Sequence, residues 1–328
     1  MKASNWRILA ATGAVIAGAV VWPIAGAVAS PARAAQPARF GIHSGKNVFF
    51  GVRAAYPPPG GIFAQFTDCP LLNPLMQESV GGAATGCVAG DATYGTFTVG
   101  SLVVPVAHPV TAQFGVWDPP GNTGNQFGGG VLPPPDGKQL VVSPEFIPGG
   151  LLKALGCPSS TASVEKLCKE AVLPGETTVV KALVQTAGPI TNFDLVTWTQ
   201  PVKIKLINPL LGNYCYIGSN DNPIVLNPYV SGSLGEVADP NPRFPTTDIL
   251  EVTGATATDD TFSVPVAQGC GPGGSANIAV DLAIDAADGL PSASGNNSLV
   301  LYGNFYFADD YSASHQASDL LKAFRSPS

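Results

Sequence analysis

Histidine and close metal-ligand pairs are scarce in this sequence. It holds three histidines, His43, His108 and His315, which stand far apart, and it has no H-E-x-x-H or C-x-x-C spacing. Because zinc sites need such closely spaced ligands, the sequence predicts no metal site. The glycine-rich runs at 128–130 and 271–274 are not followed by the lysine and helix of a phosphate-binding loop. No cofactor is expected.

A nucleophile elbow is also missing. The nearest approach to G-x-S-x-G, at 231–235, begins with serine. A dispersed Ser/His/Asp triad or a carboxylate pair needs no local motif, so a secreted hydrolase stays open as an alternative function. The paired carboxylates Asp259-Asp260 and Asp309-Asp310 do not follow the spacing of a calcium loop. We interpret them as solvated turn residues.

Charged residues are few, and acidic ones exceed basic ones. They make up 12% of the chain, and the formal net charge is −7. Removal of residues 1–35 would bring this charge to −10, because that segment holds three basic residues and no acidic one. An acidic surface argues against nucleic acid and against anionic lipid as partners.

The first 35 residues predict an export signal. Lys2 and Arg7 precede an uncharged apolar stretch from Ile8 to Ala29, and small-residue cleavage patterns follow at 27–29 and 32–34. The apolar stretch is long enough to span a bilayer, so an uncleaved anchor is the alternative. Its glycine and alanine content favours cleavage. We therefore expect residues 36–328 to be secreted or held at the cell surface, without membrane contact after cleavage.

All six cysteines lie beyond the predicted signal, as expected for an oxidising compartment. The sequence permits many pairings. The simplest joins neighbours along the chain: Cys69 with Cys87, Cys157 with Cys168, and Cys215 with Cys270. The third bond would fix the turn-rich stretch 208–228, NPLLGNYCYIGSNDNPIVLNP, to another part of the chain.

Short β-branched segments between glycine and proline turns predict an all-β fold. One example is 96–104, where Gly100-Ser101 has the spacing of a two-residue hairpin turn. Another is 202–206, which alternates apolar residues with lysines. About ten such strands favour a disulfide-stapled antiparallel β-sandwich. The predicted strands lie near residues 47–50, 96–99, 102–104, 111–117, 177–186, 193–199, 202–207, 214–217, 224–226, 261–266, 278–284 and 298–307.

One short helix is predicted near residues 161–172. Ser160 or Thr161 can cap it, and an apolar stripe recurs at helical spacing up to Ala171. Pro174-Gly175 would end it. A weaker helix pattern occupies 318–324.

The chain contains a short internal similarity. TFTV and VPVA within 96–107 resemble TFSVPVA at 261–267, and in each half a cysteine-bearing turn comes first. Chance similarity among strand residues is the alternative. The sequence is compatible with one lobe, or with two related lobes that divide around residues 145–175.

The strand at 301–307 offers a candidate ligand-binding face. Its period places Tyr302, Asn304 and Tyr306 on one side and the apolar residues of LYGNFYF on the other. If the apolar side is core, the tyrosines could stack on a sugar or a peptide. The alternative is that they cover neighbouring strands.

The segments NPLLGNYCYIGSNDNPI and FTDCPLLNP, with the TF-x-V strands, resemble exported actinobacterial proteins of uncharacterised function. The resemblance implies an exported, disulfide-containing protein of the cell exterior and assigns no site residues. Our expectation is a secreted non-enzymatic protein that binds a polymer or protein of the envelope. A secreted hydrolase and a purely structural envelope component are the alternatives.

Overall fold

The structure, a computed structural model, describes residues 59–77, 85–118, 130–172, 178–272, 277–310 and 316–326. The predicted export signal and the predicted strand at 47–50 lie outside these residues. The described residues form antiparallel strands and a few short helices.

The strands in chain order are β1 (Gly86–Val99), β2 (Leu102–Val106), β3 (Val110–Trp117), β4 (Gly130–Leu132), β5 (Leu140–Val141), β6 (Glu145–Phe146), β7 (Lys181–Thr186), β8 (Thr191–Asp194), β9 (Thr197–Ile207), β10 (Tyr216–Ile217), β11 (Ile224–Leu226), β12 (Tyr229–Ala238), β13 (Thr247–Asp259), β14 (Ala267–Gln268) and β15 (Ser298–Asp310). The α-helices are α1 (Pro74–Gln77), α2 (Gly150–Ala154), α3 (Ala162–Glu170), α4 (Ile278–Asp288) and α5 (Gln316–Arg325). Short 3₁₀ turns occupy Gly61–Phe63 and Pro209–Leu211.

We call the first group of strands the large sheet; its main order is β12-β13-β15-β1-β3-β4. Its centre is the pairing of β1 with β15, which joins residues about two hundred positions apart in register from Gly86↔Asp309 to Thr98↔Ser298. Strand β2 folds back on β1 through the predicted turn, where Gly100 takes a φ of 58°. That left-handed conformation suits glycine, so the predicted hairpin is confirmed.

The second group, the small sheet, is built on β9. Residues 200–207 of β9 pair with β7, β10 and β11, and β14 extends the sheet beyond β10. The first residues of β9 instead pair with β8 and β12 of the large sheet. One strand therefore belongs to both sheets.

The two sheets face each other across an apolar core. Alternation along β9 explains its side of this core, because Val202, Ile204 and Leu206 are fully buried whereas the lysines between them are not. Residues 142–144 close one side, since β5 pairs with β3 of the large sheet and β6 pairs with β7 of the small sheet. The fold is the predicted antiparallel, sandwich-like all-β fold.

The helices lie outside this layer pair and cover its ends. Buried residues of α2, α3 and α4 join the core cluster that contains the small sheet. Helix α5 and the segment from Phe63 to Met76 form a separate cluster with Ile249 and Ala308 of the large sheet. Phe324 of α5 lies 4.7 Å from Phe63 between ring centroids.

The three predicted disulfides are confirmed: Cys69–Cys87, Cys157–Cys168 and Cys215–Cys270. The helix predicted near 161–172 is α3, and the weaker pattern at 318–324 falls within α5. The predicted division into lobes around residues 145–175 and the internal duplication stay predictions.

Two predicted strands are wrong. Residues 278–284 belong to helix α4, which Asn277 caps by accepting a hydrogen bond from the N–H of Ala279. Within residues 261–266, only Val264 makes a β-bridge, to Ser292. The turn around Asp259, which accepts hydrogen bonds from the N–H and hydroxyl of Thr261, separates this segment from β13.

Candidate functional site

A cavity of about 140 Å³ lies between the two sheets. Phe97, Phe114 and Phe305 of the large sheet border it on one side, and Trp198 and Ile204 of β9 border it on the other. The indole of Trp198 stacks on the ring of Phe305 with 6.0 Å between centroids and 11° between planes. These elements give the cavity rigid walls, because each lining strand is hydrogen-bonded within a sheet.

Small residues at inward positions leave the space open. Gly90 and Ala92 of β1, Ala112 of β3, and Ala255 and Ala257 of β13 all line the cavity. A large side chain at any of these positions would extend into it. The volume arises because these short side chains lie together on one sheet, whereas a filled core would alternate large and small ones.

The carboxylates at the cavity, Glu145 and Asp91, are already hydrogen-bonded. Glu145 is buried, and its Oε1 accepts hydrogen bonds from the backbone N–H groups of Ala107 at 2.9 Å and His108 at 2.7 Å. Its Oε2 lies 3.0 Å from Nδ1 of His108. Oδ1 of Asp91 accepts from the backbone N–H of Asn304 at 3.1 Å. A ligand inside would therefore meet mainly apolar surface.

His108 does not form a triad in the part of the chain that the structure describes. Its ring contacts Glu145, its side chain is 49% exposed, and no serine hydroxyl is hydrogen-bonded to it. His43 and His315 lie outside the described residues.

The predicted ligand face on β15 is only partly open. Tyr302 is exposed and stacks on Tyr94 of β1, with 4.8 Å between ring centroids. Asn304 and Tyr306 are partly buried. Burial raises the pKa of the Tyr306 hydroxyl, and the charges of Asp91 and Glu251 raise it further. The structure thus brings Tyr302 together with Tyr94, while Tyr306 sits among carboxylates.

Comparison of the chain with protein-family models, with curated proteins and with solved structures found no match.

The described residues also bear on metal binding and on membrane-spanning helices. Among the described residues, no group of three or more His, Cys, Asp or Glu side chains is placed to hold a metal ion. No helix in the same residues is both long and apolar enough to cross a membrane.

Reasoning from sequence missed the cavity, Glu145 and Tyr94. The signal for the cavity is the set of glycine and alanine residues at inward strand positions, which becomes meaningful once the pairing of the strands is known. The signal for Tyr94 is even weaker. Tyr94 pairs with Tyr302, but a β-bulge between Ala92 and Tyr94 shifts the alternation of side chains along β1.

Proposed function

We propose that this protein is an exported, non-enzymatic binding protein of the cell exterior that takes a small apolar ligand into the cavity between its sheets. The predicted signal and the oxidised cysteines support the location. The ligand is the hydrocarbon or aromatic part of a molecule found at the envelope or outside it.

The observation that carries this proposal is the apolar cavity itself. Its 140 Å³ is close to the size of an engineered cavity of about 150 Å³ that stays dry and binds benzene. Each buried methylene contributes about 0.8 kcal/mol of transfer free energy. The rigid walls increase affinity because the protein loses little conformational entropy when the ligand binds.

Replacing Ala257 with leucine should abolish binding of a small hydrocarbon. Ala257 lines the cavity on β13, and the larger side chain would occupy the space that the ligand needs. We expect benzene to raise the melting temperature of the unmodified protein. We expect its affinity for Ala257→Leu to be at least about tenfold lower by calorimetry.

The matched control is Thr258→Leu. Thr258 is the next residue of β13 and is exposed, so its side chain lies outside the cavity. This variant should bind benzene like the unmodified protein. Equal binding by Ala257→Leu with an intact fold, or no binding of benzene and hexane by the unmodified protein, would refute the proposal.

A second candidate function is binding of an envelope polysaccharide at the exposed pair of Tyr94 and Tyr302, which favours stacking on sugar rings. Tyr94→Ala combined with Tyr302→Ala should reduce retention on insoluble cell-wall polysaccharide by roughly tenfold, since each aromatic contact contributes about 0.5–1.5 kcal/mol. Tyr214→Ala removes a tyrosine that is 65% exposed elsewhere and serves as the control. Unchanged retention of the double variant would exclude this surface.

A further inference from the structure

Among the residues that the structure describes, most of one edge of strand β12 is unpaired. It pairs with β13 along its whole length, but its other side meets β9 only at Tyr229↔Thr197. From Ser231 to Ala238, every residue is exposed, and no other described strand pairs with this side. Every second residue along this edge directs its backbone N–H and C=O groups to solvent.

The edge has few of the features that usually block strand addition. Natural edges carry proline, lysine or strong bulges. Residues 231–238, SGSLGEVA, hold neither proline nor lysine, and the bulge between Ser231 and Ser233 affects only one end. The remaining length is extended and accessible.

An apolar groove of about 220 Å³ runs beside this edge. Leu234 of β12 and the turn at Leu195 and Val196 border it, and Val252 and Phe305 lie at its base. Leu195 has a φ of 41°, a left-handed conformation that is uncommon for leucine. This conformation forms the turn that borders the groove. Leu234 is 64% exposed although it borders apolar side chains.

Carboxylates lie further along the same strands, beyond the residues that line the groove. Glu236 follows Leu234 on the same face of β12, and Asp248 and Asp309 face each other on β13 and β15. The pKa of Asp248 is raised to about 7, chiefly by burial and also by its hydrogen bond and charge repulsion with Asp309. The pKa of Glu236 is also raised, chiefly by the charge of Asp248. A cation bound here would relieve this repulsion.

We infer that the edge of β12 from Ser231 to Ala238 receives an extended segment of a partner protein, with an apolar residue against Leu234 and a basic residue two positions away against Glu236. The segment adds a strand to the large sheet through backbone hydrogen bonds. The spacing follows from the strand period, which places residues i and i+2 on one face. This surface is separate from the cavity and does not depend on its ligand.

The test uses synthetic peptides as long as the edge. In the first peptide, every second residue is threonine, and the residues between are valine and lysine in turn. The valines and lysines then share the face that is directed at Leu234 and Glu236. A second has glutamate in place of lysine, and a third carries N-methyl groups that block one backbone edge. Binding to the purified full chain is measured by calorimetry, and protection of the amides of 231–238 is measured by hydrogen exchange.

We expect the lysine peptide to bind and to protect these amides, and the other two peptides to bind at least about tenfold more weakly. Leu234→Lys should remove binding, and Glu236→Gln should remove the preference for lysine over glutamate. Val103→Lys changes a valine of β2 that is 43% exposed and should leave binding unchanged. Equal binding of the lysine and glutamate peptides would overturn the inference. A dimer of the chain that dissociates in the Leu234→Lys variant would also overturn the inference, because the edge would then pair with a second copy of the chain.

Discussion

Loss of the Cys215–Cys270 disulfide, in the double variant Cys215→Ala with Cys270→Ala, should lower the free energy of unfolding by roughly 3–5 kcal/mol. The bond joins residues 55 positions apart, against 18 and 11 for the other two. Because the entropy that a cross-link removes from the unfolded chain grows with the enclosed loop, this bond should contribute the most.

The surroundings of this disulfide strengthen the expectation. Both cysteines are fully buried in the core cluster of the small sheet. The carbonyl of Cys215 accepts a hydrogen bond from the N–H of Leu206 in β9, and the N–H of Cys270 donates to Oδ1 of Asp281 in α4. The disulfide therefore joins a segment that is hydrogen-bonded to β9 with a segment that is hydrogen-bonded to α4. Its loss should loosen both attachments.

Urea unfolding followed by circular dichroism measures the effect. The control is Cys157→Ala with Cys168→Ala, which opens an 11-residue separation next to α3. We expect this control to lose roughly 2–3 kcal/mol. A loss at 215–270 no greater than that of the control would show that the order of contributions is wrong.

The protein should be more stable in mild acid than at alkaline pH, and Asp288 is one cause. Asp288 is fully buried at the end of α4, and neither of its carboxyl oxygens has a hydrogen-bond partner within the described part of the chain. Burial raises the pKa of Asp288 to about 7, although the charge of Lys153 opposes this and that of Asp285 adds to it.

The sign of the pH dependence follows from this raised pKa. The folded protein holds the proton of Asp288 more tightly than the unfolded chain, whose Asp pKa is about 3.9. The stabilisation is complete below that value, falls as pH rises, and is lost once pH passes about 7. Asp248, whose pKa is also raised to about 7, contributes in the same direction.

Asp288→Asn should reduce the loss of stability between pH 5 and pH 8 by roughly 2–3 kcal/mol, because the amide has the shape of the protonated acid and no charge. At pH 8 the variant should be more stable than the unmodified protein. Asp221→Asn, which changes an exposed carboxylate in a turn, should keep the original pH dependence. Denaturant titrations across this pH range provide the measurement, and parallel curves for all three proteins would contradict the role of Asp288.

The sequence predicted local structure better than it predicted pairing. The hairpin at Gly100 and the helix α3 join residues close in sequence, so turn chemistry and helical spacing were enough to find them. The disulfides were found because each joins cysteines that are neighbours in the order of cysteines along the chain. The pairing of β1 with β15 joins distant residues, and no local pattern encodes it. The cavity depends on that pairing and was therefore missed.

Helix α4 shows how an apolar pattern can mislead. Ile278, Val280, Leu282 and Ile284 alternate as in a strand, but Ile278 is 72% exposed and Leu282 is 60% exposed. Of these four apolar residues, only Val280 and Ile284, four positions apart, are buried. The helix signals were the cap at Asn277 and Gly289, which ends the helix with a φ of 69°.

Because β9 belongs to both sheets, it affects how the protein unfolds. Its first residues pair with β8 and β12, and the rest pairs with β7, β10 and β11. Neither sheet can open along β9 without breaking hydrogen bonds of a strand that also supports the other. We therefore expect the two layers to unfold in a single cooperative transition, and amide protection along β9 should report the global stability of the whole fold.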